Sequence, residues 1–177
     1  MPQAKTLSDK ELKIVLAVIA HNLYAPRNRA MLLMSFYAGM RVGEIAFLKY
    51  GDVVNADRTI KEKIHLSASQ TKLRGELSTY VNTLKFHDAN KPLFRSQRTK
   101  TGFTPNTLAQ HFGKIFKWAG IEGASSHSGR RTFITTLANK GVGVRVLMAL
   151  AGHKNMSTTQ LYIDLNDEML CRAANLV

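Results

Sequence analysis

Residues 126–163 read SHSGRRTFITTLANKGVGVRVLMALAGHKNMSTTQLYI. Ser126 reads as the N-cap of a helix running to Lys140. Val144 to Ala151 forms a shorter helix closed by Gly152, and Ser157 to about Tyr162 adds a further turn or two. Glycine at 152 suits a helix terminus, because the left-handed conformation that ends many helices carries no Cβ penalty there. Three helical pieces thus follow one another with short joints, each with a polar residue of chemical interest near its end: His127 and Arg130, His153, and Tyr162.

Upstream, Ser8-Asp-Lys-Glu11 forms a capping box, with the serine at the N-cap and the glutamate three residues on. It opens an amphipathic helix to about Asn22, with Leu12, Val15, Leu16 and Ile19 on one face. A second helix runs from about Pro26, a favoured first-turn proline, to Ala38. Gly39 breaks it, and Arg41 to Leu48 starts a short third helix. Between 51 and 81 the pattern reads differently. Gly51-Asp-Val-Val, Ile64-His-Leu and Leu77-Ser-Thr-Tyr-Val alternate and are rich in strand formers, with turn chemistry at Asn55-Ala-Asp57 and Arg74-Gly75. That predicts a small antiparallel sheet of about three strands. Thr104-Pro105 then opens a helix to Ala119 with Leu108, Phe112, Ile115 and Phe116 inward, and Asp167 to Ala174 forms a last one. The expected fold class is mostly α with a small antiparallel β-sheet (α+β). With no internal repeat or Pro/Gly/Ser linker, the expected organisation is one domain over residues 1–177.

The 177 residues are ample for a hydrophobic core, and 45% hydrophobic with 21% charged residues excludes a disordered or collagen-like chain. The net charge is +13. An excess of that size points to a polyanionic partner. It is concentrated between residues 89 and 163, which hold eleven bases, Arg98, Lys100, Lys114 and Arg131 among them, and one acid, Glu122. No apolar run approaches the roughly 20 residues that span a bilayer, and no helix pairs a basic face with a broad aromatic one, so no membrane partner is expected. The start of the chain has no apolar signal core. Cys171 is the only cysteine, which excludes an intrachain disulfide and favours a reducing, cytoplasmic setting. No two of the six histidines lie at metal-ligand spacing. Gly141-Val-Gly143 lacks the remaining glycine and lysine of a phosphate-binding loop, and no Gly-x-Ser-x-Gly elbow is present.

What remains is a set of bases and histidines at helix starts and turns. Arg41 follows a glycine break in Ala38-Gly-Met-Arg-Val-Gly-Glu44, with Glu44 placed to hold its guanidinium. Lys72 falls in an expected β-hairpin turn. His127 and Arg130 lie at i and i+3 on the first turn of a helix, a favourable place for an anion. His153 lies just beyond a helix end, and Tyr162 follows nine residues later. Singly, each has a plainer reading: Arg41 and Glu44 as a surface pair, His127 and His153 as caps, Lys72 as a solvated lysine, Tyr162 as a core aromatic, Arg131 as a backbone or solvent contact. The conjunction carries the functional reading.

In order, Arg, Lys, His-x-x-Arg, Gly-His and Tyr resemble the tyrosine recombinase (phage integrase) family. The matching segments are AGMRVGEI, the expected Lys72 hairpin, HSGRRTF, LAGH and TTQLYI, and the resemblance runs from about residue 8 to 170. It implies that Arg41, Lys72, His127, Arg130 and His153 surround a phosphate of double-stranded DNA, with Glu44 supporting Arg41 and with Arg131, Lys100, Arg98 and Lys114 as further DNA contacts. Tyr162 would be the nucleophile. A free phenol titrates near ~10 and is weak at neutrality, so His127 would take or relay its proton. Arg41 and Arg130 would offer forked donors to the non-bridging oxygens, His153 would donate to one of them, and Lys72 would protonate the leaving 5′-oxygen. The product is a covalent 3′-phosphotyrosine, which keeps the bond energy, so neither metal nor ATP is implied. Family members commonly carry a separate N-terminal helical domain, which is not expected within this chain, and usually act as tetramers on DNA. A type IB topoisomerase-like enzyme and a non-catalytic DNA-binding protein of the same fold remain alternatives, the first separable by supercoil relaxation against two-site recombination.

Overall fold

The structure is a computed structural model, and it describes residues 4–61, 70–97 and 101–162. Among the described residues there are nine helices: α1 (Asp9–Ala20), α2 (Ala25–Ala38), α3 (Val42–Phe47), α4 (Tyr50–Val53), α5 (Gln70–Asn82), α6 (Pro105–Trp118), α7 (Ser128–Asn139), α8 (Val144–Ala151) and α9 (Met156–Gln160).

Helix α2 is the axle. The run Ala30-Met-Leu-Leu-Met-Ser-Phe36 is buried on every side, the pattern of a helix surrounded by others rather than lying on a surface. It packs against α1, α3, α5 and α7, while α6 closes the far side against α1 and α3. The expected capping box forms: the Ser8 Oγ accepts from the Glu11 backbone N–H at 3.2 Å, and a Glu11 carboxylate oxygen accepts from the Ser8 N–H at 2.9 Å. Thr104 likewise caps α6, whose inward residues Leu108, Phe112, Ile115 and Phe116 are all buried as the spacing predicts.

The expected three-stranded sheet is corrected where the structure describes it. Gly51–Val53 belongs to α4 and 77–81 to α5; the Ile64–Leu66 segment lies outside the described residues. The reason is periodicity. Leu73, Leu77, Tyr80 and Val81 are the buried residues of α5, and steps of four, three and one trace one face of a helix, not alternate positions of a strand. Arg74-Gly75 accordingly sits inside α5 rather than in a hairpin. Antiparallel pairing among the described residues takes the form of isolated bridges, Lys49 with Pro92, Val54 with Ile60 and Arg95 with Gly102. The expected turn near Asn55 does form: Arg58 adopts φ 71°, and the Asp57 carboxylate accepts from the Thr59 N–H at 2.9 Å.

Two glycines let α7 lie close against α2. A Cβ on Gly129 would stand 2.7 Å from the Ser35 Oγ, and one on Gly39 would collide with the Phe133 ring. Gly39 also ends α2 at φ 63°, where a side chain is strained. Beyond the main core, Phe133, Ile134 and Ala151 form a separate small apolar cluster, with Leu137 and Tyr162 packed on it. No helix among the described residues is long and apolar enough to cross a membrane.

Candidate active site

The site begins with two helix ends. Helices α2 and α8 both stop at glycines in the left-handed conformation, Gly39 at φ 63° and Gly152 at φ 56°. Terminal turns of a helix leave carbonyl oxygens without intrahelical partners, at the negative end of the helix dipole. Those of α2 and α8 face two arginines. Arg130, 5% exposed, donates from Nη1 to the Gly39 carbonyl at 2.7 Å and from Nη2 to the Ala151 carbonyl. Arg41 donates from Nη2 to the Ala151 and Gly152 carbonyls, both at 3.0 Å. The two guanidinium groups, 89 positions apart in sequence, therefore share one acceptor.

Glu44 completes the hold on Arg41. Its carboxylate accepts from the Arg41 guanidinium at 2.8 Å and from the Arg41 backbone N–H at 2.7 Å. Burial, with the Arg41 charge beside it, pushes the Arg130 guanidinium down from its ordinary value. A cleft of about 640 Å³ opens over this arrangement, lined among others by Arg41, Glu44, Arg130, Phe133, Leu150 and Gly152.

His153 follows directly on the α8 cap. Its ring stacks on Tyr162, with centroids 5.6 Å apart and planes 25° apart, and its Nδ1 lies 3.0 Å from the Thr159 Oγ1. Burial lowers the His153 pKa, and the charges of Arg130 and Arg41 lower it further. Tyr162 is half-buried. The Arg131 guanidinium lies 5.8 Å from the centre of its ring, and its backbone carbonyl accepts from the Thr135 hydroxyl at 3.3 Å. Arg41, Arg130, His153 and Tyr162 thus come together, with Glu44 behind the first.

The other expected site residues are placed as follows. His127 is exposed and is itself the N-cap residue of α7, one turn before Arg130. The expected cap at Ser126 is therefore corrected by one residue, because Ser125 and Ser128 close the preceding turn on each other: the Ser128 Oγ accepts from the Ser125 N–H at 2.9 Å. Lys72 stands exposed on the first turn of α5, not in a hairpin, with its Nζ 5.7 Å from the centre of the Tyr37 ring. Lys114 is exposed on α6. Arg98, Lys100 and the expected helix Asp167–Ala174 lie outside the described residues.

The sequence profile of the phage integrase family matches residues 5–169. The chain belongs to that family. Among its relatives, the tyrosine recombinase XerA of Pyrococcus horikoshii is 30% identical over 177 residues, covering 96% of this chain and 60% of the relative. The tyrosine recombinase XerC of Myxococcus xanthus is 27% identical over 160 residues, covering 81% of this chain and 52% of the relative. A crystal structure of XerA recombinase superposes with a TM-score of 0.75 at 28% identity, covering 99% of this chain and 64% of that one. The Tn1549 transposon integrase in complex with transposon right end DNA shares the fold at a TM-score of 0.75 and 16% identity, covering 99% of this chain and 67% of that one. The chain spans less than two thirds of the length of the curated relatives it matches first.

In this member of the phage integrase family, sequence reasoning missed the groups that hold the arginines, because they are backbone carbonyls. The glycines at 39 and 152 were the available signal: each marks a helix end next to a site residue. Thr159 was also missed. It sits three residues before Tyr162, one helical turn away, and is 0% exposed.

Proposed function

We propose that this chain is the catalytic part of a site-specific tyrosine recombinase that cleaves and rejoins double-stranded DNA without metal or ATP. The observation that supports it is the convergence of Arg41 and Arg130 on the Ala151 carbonyl, with His153 two residues further and its ring stacked on Tyr162. A guanidinium carries five N–H donors, so each arginine retains donors for a phosphate beyond those engaged with the backbone.

The Tyr162 phenolic oxygen attacks the phosphorus and gives its proton to His127, directly or through a relay. Negative charge develops on the non-bridging oxygens, where Arg41 and Arg130 supply donors already oriented by the two helix ends. His153 donates to one of these oxygens. The bond from phosphorus to the 5′-oxygen breaks, and that oxygen takes a proton from Lys72. The product is a 3′-phosphotyrosine and a free 5′-hydroxyl. A 5′-hydroxyl from another strand attacks the phosphotyrosine in the reverse step, which rejoins the DNA and frees Tyr162. Strand exchange between two sites calls for a homo-oligomer on DNA, a tetramer by resemblance to the family, with Arg131, Arg98, Lys100 and Lys114 among the residues holding the duplex.

The test uses a pool of nicked duplexes of randomised sequence, in which the nick lets the short fragment bearing the free 5′-hydroxyl diffuse away and traps the adduct. Denaturing gels are expected to show a covalent protein–DNA species that persists in EDTA. Tyr162→Phe is expected to abolish it while retention of DNA on a filter stays nearly unchanged. An adduct that survives in Tyr162→Phe removes Tyr162 as nucleophile, and loss of the adduct on chelation overturns the metal-free route.

A further inference from the structure

The placement of Thr159 bears on how His153 is presented to the phosphate. Thr159 is fully buried, on a five-residue helix that ends two residues before Tyr162. A buried hydroxyl without a partner costs roughly 1–3 kcal/mol, so a polar side chain survives there only with its hydrogen bond made. Its partner is the Nδ1 of His153, at 3.0 Å. The same imidazole stacks on the ring of Tyr162, and burial together with Arg130 and Arg41 favours its neutral form. A neutral imidazole carries one N–H, and the nitrogen that bears it is set by what the other nitrogen meets.

We propose that Thr159 is a positioning residue that donates its hydroxyl hydrogen to the His153 Nδ1 and thereby holds the imidazole as the Nε2–H tautomer, the form that donates to a phosphate oxygen. The hydroxyl has one hydrogen to place, and the Nδ1 lone pair is the acceptor beside it. The opposite arrangement, Nδ1–H donating to Thr159, leaves the buried hydroxyl hydrogen without that acceptor and turns a bare Nε2 lone pair towards any anion. A lone pair facing an anionic oxygen is repulsive. The threonine therefore decides whether His153 attracts the phosphate or repels it. The ring it fixes is also the ring against which Tyr162 rests, so the donor and the nucleophile take their orientation from one hydroxyl.

This inference rests on the proposed role of His153, and its test separates the two. The first readout needs no DNA. Nitrogen-15 spectra of the imidazoles, with the His153 signals assigned by their loss in His153→Ala, are expected to show a single Nε2–H form in the parent chain and in Thr159→Ser. In Thr159→Val, which keeps the shape and drops the hydroxyl, they are expected to show a mixture or the Nδ1–H form. The second readout is the single-turnover rate of adduct formation on a duplex recovered from the randomised pool. Thr159→Val is expected to slow it about tenfold, the scale of one lost hydrogen bond. Thr159→Ser is expected to restore it, and Thr159→Val is expected to add nothing once His153 is alanine. An unmixed Nε2–H form in Thr159→Val, an unchanged rate, or a full further loss in the His153→Ala background overturns the inference. If His153→Ala itself forms adduct at the parent rate, it is the proposed role of His153 that fails, while the spectra still report on the tautomer.

Discussion

The main core and the small cluster at the α7–α9 end are built to different standards. Around α2, large side chains such as Met31, Leu33, Phe94 and Phe112 are almost wholly enclosed, in a core drawn from α1 to α6 and the loops between. Among the described residues the smaller cluster has three buried members, Phe133, Ile134 and Ala151, with Leu137 and Tyr162 on its flank. The arginines bridge the two regions: Arg130, on the same helix as Phe133 and Ile134, takes one carbonyl from the end of α2 and one from the end of α8. The two arginines are therefore held at the ends of α2 and α8, while Tyr162 packs on the flank of the smaller cluster. Local opening favours regions with few buried apolar contacts, so among the described residues the smaller cluster is expected to open before the main core.

The comparison breaks or sharpens on four measurements. Phe112→Ala, in the main core, is expected to lower global stability by about 3–5 kcal/mol, read from the midpoint of denaturant unfolding. Gly39→Ala places a methyl against Phe133 and asks a side chain to adopt φ 63°. It is expected to cost about 1–3 kcal/mol and to depress adduct formation further than the stability loss explains, because the Gly39 carbonyl that anchors Arg130 shifts with it; Phe133→Leu in the same chain should recover part of both. Ile134→Val trims the small cluster by one methylene and is expected to cost about 0.5–1.5 kcal/mol. Its amide exchange is expected to quicken over α8 and α9 before α2. Uniform quickening would mean that the two clusters unfold as one.

The fourth measurement concerns pH. Asn28 Oδ1 accepts from Arg27 at 3.0 Å and lies 3.0 Å from the His111 Nε2. Burial, with the charges of Arg27 and Lys114, lowers the His111 pKa from 6.5 to about 4. The unfolded chain therefore takes up this proton at a higher pH than the folded one. The stability present above pH 6.5 is lost as pH falls towards 4, and the loss levels off below that. His111→Gln is expected to flatten the fall of Tm between these limits, and an unchanged slope would show that other groups carry it.

The helices of this fold were readable where local chemistry and periodicity agreed. Ser8 and Glu11, Thr104 with Pro105, and the inward face of α6 needed nothing beyond their own segment. Segment 77–81 misled because Leu77, Thr79 and Val81 mimic strand alternation, whereas the residues that are buried, Leu73, Leu77, Tyr80 and Val81, follow the helical step. The order of site residues was legible as a resemblance, and Glu44 was legible from its spacing to Arg41. The acceptors that hold the arginines were not, since a carbonyl oxygen has no residue type. Thr159 was hidden for a related reason: its partner is six residues away, across a turn whose course depends on packing.

Holding guanidinium groups with peptide carbonyls has a consequence for the field at this site. A pair of carboxylates in those places would steady the side chains equally well and would cancel their charge. Carbonyls bring only dipoles, so beyond the single countercharge of Glu44 the formal positive charge survives intact, available to an incoming polyanion before contact is made.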